Sequence, residues 1–202
     1  MHRRPISTAV LVTVVLSFMT ALLVQPAAAA PTSASWRTAM TVTGFDREVA
    51  QANGYQVITL PSGREASVKI DIARRIRAGE SLIVDGQQTL YGNCGYSYVE
   101  LYAIGGEKAN FRTGFGIASN LPAAIRYQWV VRITDNGGSS SPSWSGNLAY
   151  RHTWVTNSGN CLVYKLTRGT AWARVDSDWS YAVLSNGAIC SSAGPATSTN
   201  IY

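Results

Sequence analysis

The strongest regularity in the chain is a period of two. In "AIRYQWVVRIT", residues 124–134, Ile125, Tyr127, Trp129, Val131 and Ile133 fall on one side and Arg126, Gln128, Val130 and Arg132 on the other. Alternation over that length predicts a strand in a sheet with one buried and one wet face. The segments "YSYVELYAI" and "ANFRTGFGI" on either side of Gly105-Gly106 read the same way, as do "SLIV" and "QTLY" around Asp85-Gly86, a dipeptide suited to a tight hairpin turn. After the turn "DNGGSSS" come "WSGNLAYRHTWVTN", "CLVYKLT", "TAWARVD", "WSYAVLS" and "AICSS". Short strands spaced at about ten residues with a turn at each break predict an antiparallel β-sandwich or barrel-like sheet from residue 80 to residue 202.

The stretch before it, residues 30–79, is mixed. "TAMTVTGF" alternates like a strand, and "FDREVAQANGY" places Asp46 at the start and Gly54 at the stop of one short N-terminal helix, with Val49 and Ala50 free to face inward. "YQVITLPSGREASVKI" is a hairpin turning at Pro61-Ser62-Gly63. "DIARRIRAG" fits a last helical turn or two capped by Gly79. This segment is either integral to the fold or a pro-segment. The serine-rich "GGSSSPS" and the tail "SSAGPATSTN" are expected to be surface segments.

Residues 1–29 change the picture from a generic β protein to an exported one. Two arginines, an apolar run from Ala9 to Val24, and small residues after Gln25-Pro26 have the order of a secretory signal peptide. Cleavage after Ala29 leaves Ala30 as the new start and keeps Pro31 off the scissile bond. The apolar run falls short of the roughly 20 residues that span a bilayer. Export predicts a secreted, extracellular protein with no membrane span after cleavage. Loss of Arg3 and Arg4 lowers the net charge from +6 to +4, and the one dense basic cluster is Arg74, Arg75 and Arg77. A nucleic-acid binder needs a continuous basic face, so no nucleic acid is expected.

The chemistry available is narrow. Once His2 leaves with the signal, His152 is the sole imidazole. A hydrolase built on it would need an acid such as Asp135, Asp176 or Asp178 and an exposed nucleophile, yet no serine stands in a GxSxG pattern. There is no CxxC, HxxxH or HExxH spacing, and the acidic turns "DSD" and "TDNGG" are too short to wrap calcium. No metal, cofactor or catalytic residue is expected. A secreted hydrolase using His152 stands as one alternative, and an inhibitor presenting "NGGSSSPSW" to an extracellular enzyme as another.

Aromatic supply is the positive signal. Six tryptophans and ten tyrosines accompany four phenylalanines, an excess of side chains with an apolar body and a polar tip. Tyr96, Tyr98, Glu100 and Tyr102 share one face of a strand, a surface on which sugar rings could stack while the acid accepts hydroxyl protons. Trp129 belongs to the core, whereas Trp144 and Trp179 stand beside turns and are candidates for exposure. These six residues, Tyr96, Tyr98, Glu100, Tyr102, Trp144 and Trp179, are the candidate ligand contacts for a non-catalytic protein that binds an extracellular glycan or cell-envelope polymer.

Three cysteines leave three pairings open. Cys94 with Cys190 is favoured because both stand at strand–turn junctions, "GNCGY" and "GAICSS", and their bond would tie the last of these strands to the first strong β segment. Cys161 is then a buried free thiol or a link to another chain.

With "GNCG" (92–95), the "DxGG" turn (135–138), "NGAIC" (186–190) and "SAGP" (192–195) after a signal peptide, residues 91–202 resemble a group of small exported all-β proteins of unassigned function from actinobacteria. That resemblance implies an extracellular location and a sandwich-like fold, and it carries no catalytic residues. N-terminal sequencing of protein recovered from culture medium is expected to begin at Ala30. A start near Gly79 would identify the preceding segment as a pro-segment.

Overall fold

Twelve strands hydrogen-bond into one continuous antiparallel sheet, and two more form a separate hairpin. The computed structural model describes residues 36–80 and 93–202. The signal peptide expected at 1–29 and the hairpin expected around Asp85-Gly86 lie outside the described residues. The architecture is mainly β and sandwich-like, not a closed barrel. No helix among the described residues is long and apolar enough to cross a membrane.

The first strand, β1 (Arg37–Phe45), runs into α1 (Arg47–Ala52). Asp46 caps that helix by accepting a hydrogen bond from the Val49 amide at 2.9 Å. Then follow β2 (Tyr55–Thr59), β3 (Glu65–Lys69) and α2 (Ile70–Arg77). The segment therefore holds the short helix expected at Asp46 and, in α2, the further helical turns expected in "DIARRIRAG". The Arg74–Arg77 cluster forms the solvated side of the second, and Gly79, at φ 87°, donates to the Ile76 carbonyl.

The β2–β3 hairpin and α1 dock on the turn at residues 185–187. The Ser67 hydroxyl donates to the Asn186 carbonyl at 2.6 Å, and the Asp46 amide to the Gly187 carbonyl at 2.7 Å. Gly187 sits at φ 83° with Asp46 and Ala50 so close that no Cβ fits. Meanwhile β1 lies between two strands of the main sheet, β4 (Asn93–Ala103) and β13 (Ala188–Ser192). A chain without residues 30–79 would lack an interior strand of that sheet.

Outward from β4 run β5 (Lys108–Ile117) and, on the far edge of β5, the short strands β9 (Thr153–Val155) and β10 (Leu162–Lys165). On the other side, β13 is followed by β12 (Tyr181–Leu184) and β6 (Ala124–Asp135). The long alternating strand read from the sequence is β6, with Trp129, Val131 and Ile133 buried as expected.

One edge of β6 pairs first with β12 and then with β11 (Gly169–Val175). The opposite edge pairs with β8 (Ser143–Arg151) and then β7 (Gly138–Ser140). β14 (Ala196–Ile201) extends the β11 end, and both β11 and β14 lie against β4, which makes the second layer. The tail supplies the partly exposed strand β14, whose last residue, Ile201, is buried, and "GGSSSPS" supplies the exposed strand β7, so both expected surface segments are also paired strands. Ser- and Thr-rich composition hid both, because the hydrogen-bond ladder needs only backbone and Thr suits a pleated surface.

The sheet turns from one layer to the other at Val130. On one edge, residues 176–180 interrupt the pairing between β11 and β12. The buried Ser180 hydroxyl takes the missing place, accepting from the Val130 amide and donating to the Val130 carbonyl, both at 3.0 Å. On the other edge Pro142 separates β7 from β8, and its carbonyl accepts from the Val131 amide at 3.0 Å. Inside the fold, Trp129 donates its indole N–H to the Thr113 hydroxyl at 3.0 Å, which donates to the Tyr98 carbonyl at 2.7 Å. The Trp129 indole and the Thr113 hydroxyl are therefore satisfied in a chain that links β6, β5 and β4.

Cys94 and Cys190 lie at disulfide distance, their Cα atoms 6.2 Å apart. They stand on the two strands flanking β1, which has a register irregularity against each neighbour at this point, and these bulges let residues two strands apart meet. Cys161 is exposed rather than buried, because it stands at the start of the edge strand β10.

Two outcomes test this architecture. Thiol titration in denaturant is expected to find one free cysteine per monomer, while three would show that Cys94 and Cys190 do not bond. Closing a loop of that length would stabilise the fold by at most about 4 to 5 kcal/mol through chain entropy. Ser180→Ala is expected to cost about 1–3 kcal/mol in chemical denaturation, because it strips a buried amide of its partner; an unchanged midpoint would remove Ser180 from the corner.

Candidate functional site

The tyrosines and acid singled out on β4 do share a face, the one turned away from the core. Tyr96 stands opposite Gly116 and Tyr98 opposite Gly114 on β5, and the rings lie over the glycines closely enough that a Cβ at either position would meet them. Such cover is the usual compensation for glycine in a strand. The Arg37 guanidinium sits 3.6 Å from the Tyr96 ring centroid. Glu100 is held by the Arg112 guanidinium at 2.8 Å, its cross-strand partner. Burial pushes the Tyr98 phenol up, with Arg112 opposing and Glu100 adding to the shift. Tyr102 alone of the row is exposed. The row is therefore a cross-strand ladder whose members are largely engaged with one another.

Trp144 and Trp179 lie on opposite edges of β6. Trp179 is exposed in the corner loop, beside Ser180. Trp144 is half-buried on β8, its ring stacked on Phe111 with centroids 6.1 Å apart. Its neighbour at 6.2 Å is Trp154 of β9, a residue the sequence reading placed in a strand and did not select.

Trp154 is the centre of an aromatic cluster. Its ring lies 4.4 Å from Tyr127 and 5.9 Å from both Phe115 and Trp129. The cross-strand pair Phe115↔Trp154 fixes its height on the sheet. Burial pushes the Tyr127 phenol up, and a hydrogen bond from Trp154 opposes that shift.

Tyr127, Trp144 and Trp154 floor a cleft of about 630 Å³. It opens between β8 and the stretch formed by β9 and a 3-10 turn at Thr156–Gly159, two edges that do not pair with each other. Tyr127, Trp144 and Trp154 are each half-buried, and Asn147, Arg151 and Asn157 stand around them with exposed polar ends. No acid lines the cleft.

The opening has a local cause. Between Arg126↔Asn147 and Ala124↔Arg151 the β6–β8 register slips, so β8 bulges over Leu148–Tyr150. Tyr150 adopts φ 50°, a conformation that costs a bulky residue about 1–3 kcal/mol, and its phenol donates to Asn53 Oδ1 at 2.8 Å. Asn157, on the other wall, has φ 49°. The bulge carries β8 off its register just before the chain crosses to β9, and the two edges stay apart.

His152 lies at that crossing. Its backbone carbonyl accepts from the Ile117 amide at 2.6 Å, and its Nδ1 is buried with no hydrogen-bond partner. A triad histidine needs an acid on that nitrogen. The hairpin considered as an inhibitory loop is braced at its base, where the Asp135 carboxylate accepts from the Gly137 amide at 2.8 Å and the Thr167 amide at 2.7 Å. These backbone donors, Thr167 foremost, hold the Asp135 carboxyl below the usual range. Among the described residues no group of three His, Cys, Asp or Glu side chains is placed to hold a metal. The chain matches no protein-family model, no curated protein and no solved structure.

Proposed function

We propose that the protein is a secreted, non-catalytic β protein that binds an extracellular glycan, free or as part of the cell envelope, in the cleft between β8 and β9. The observation that carries the reading is the Trp154 platform. A sugar ring offers an apolar C–H face and a rim of hydroxyls, so it is recognised by an aromatic face bordered by neutral hydrogen-bonding groups. Trp154, Tyr127 and Trp144 supply the face, and Asn147 and Asn157 supply amides that both donate and accept.

Preorganisation supports the same reading. Trp154 is held by three other rings within 6 Å, so little side-chain freedom remains to be lost on binding. An open cleft also suits a chain ligand better than a compact one, because the ends can run out past both walls. The signal-like residues 1–29 and the likeness to exported actinobacterial β proteins supply the extracellular setting.

Retention on insoluble chitin, cellulose or purified cell wall is the test. Wild type is expected to be retained on at least one, and Trp154→Ala to weaken that binding by about tenfold, near 1.4 kcal/mol. Because Trp154 also packs on the core, Asn157→Ala is measured beside it, with the fold of each variant checked by circular dichroism. Trp179→Ala, at the far edge of β6, is expected to bind like wild type. Failure to bind any glycan, neutral or acidic, or folded variants of Trp154 and Asn157 that bind as wild type does, would refute the proposal.

A further inference from the structure

We infer that the chain bound in the cleft is an acidic polysaccharide whose carboxylates pair with Arg151. The inference rests on the glycan reading above and adds a charge requirement to it. Six arginines of the fold face an acid: Arg47 with Glu65, Arg75 with Glu80, Arg112 with Glu100, Arg126 with Asp46, Arg132 with Asp176 and Arg168 with Glu107. Arg74, Arg77, Arg151 and Arg174 have no such partner among the described residues, and of these four Arg151 alone lines the cleft. It is exposed, it lines the cleft, and the lining contains no Asp or Glu to neutralise it.

Its placement is also fixed from behind. Arg151 pairs with Ala124 at the end of β8, directly after Tyr150, whose left-handed backbone is held by the hydrogen bond to Asn53. The same Asn53 side chain donates to the Val49 carbonyl at 2.8 Å, so the anchor reaches into α1. The nearest cation on β6, Arg126, stands opposite Asn147 and is already paired with Asp46. A single unneutralised guanidinium therefore borders a neutral aromatic and amide-lined cleft. Its planar fork matches the two oxygens of a carboxylate. Uronate sugars bring that group on a ring whose C–H face still stacks on Trp154. A neutral glycan would leave the guanidinium without its strongest available partner, and the net positive charge of the chain favours approach of a polyanion.

The test compares oligogalacturonate, alginate oligomers and hyaluronan oligomers, each with its carboxyl methyl ester, by calorimetry at low and at physiological salt. Esterification keeps the sugar rings and removes the charge. At least one acidic chain is expected to bind about tenfold more tightly than its ester. In Arg151→Gln the acid and its ester are expected to bind alike, with thermal unfolding unchanged. Added salt is expected to shrink the preference in wild type only. If the esters bind wild type as well as the acids do, or if all three acidic chains fail while chitin or cellulose retains the protein, the inference falls and the glycan reading stands. If no glycan of either kind binds, both fall.

Discussion

Everything in this fold depends on keeping β6 paired at both edges while the sheet bends through it. A strand that passes from one layer to another must change partners, and at the change its amide and carbonyl face a gap. Here the gap falls at Val130 and Val131. The Ser180 hydroxyl stands in for a missing residue on one edge, and the Pro142 carbonyl closes the other. Proline is tolerated there because that position of the ladder asks it for an acceptor only.

The bend at Val130 has a consequence on the far side of the molecule. It curls the sheet until β8, beside β6, faces β9, beside β5, yet the two do not hydrogen-bond. Closure would have buried Trp144, Trp154 and Tyr127 completely and turned the sheet into a barrel. The bulge at residues 148–150, with Tyr150 in its left-handed conformation, holds the edges apart. Backbone strain of this kind persists only where surrounding contacts overdetermine it, and the tether to Asn53 is such a contact. The helix-and-hairpin segment after β1 thus reaches the cleft through Asn53, which gives residues 46–79 a part in shaping it.

Much of this was legible in advance. Alternation located β1, β4, β5 and β6 and the strand–turn rhythm of the C-terminal half, because a half-buried sheet writes a period of two into its sequence. It failed where backbone pairing makes the strand without help from side chains, as in β7 and β14. The two cysteines at disulfide distance were also readable, from their places beside turns. The cleft was not. Its wall is set by a register slip and a positive φ at a tyrosine, neither of which has a compositional mark. The one available sign was "WSGNLAYRHTWV", where a long strand pattern runs across a polar pair of residues and two tryptophans stand ten positions apart.

The tyrosine row on β4 nevertheless belongs to the same design. Gly114 has to be glycine because the Trp154 carbonyl comes within contact distance of where its Cβ would be. That close approach is what seats β9, and with it the Trp154 ring, against β5. The Tyr98 ring closes over the same position, as Tyr96 lies over Gly116. Tyr98 in turn receives through its carbonyl the end of the hydrogen-bond chain from Trp129 and Thr113. Two glycines and two tyrosines therefore hold the cleft's platform from the outer side of the sheet. The aromatic face that sequence alone selects on β4 is thus also the outer support of β9 and the Trp154 ring.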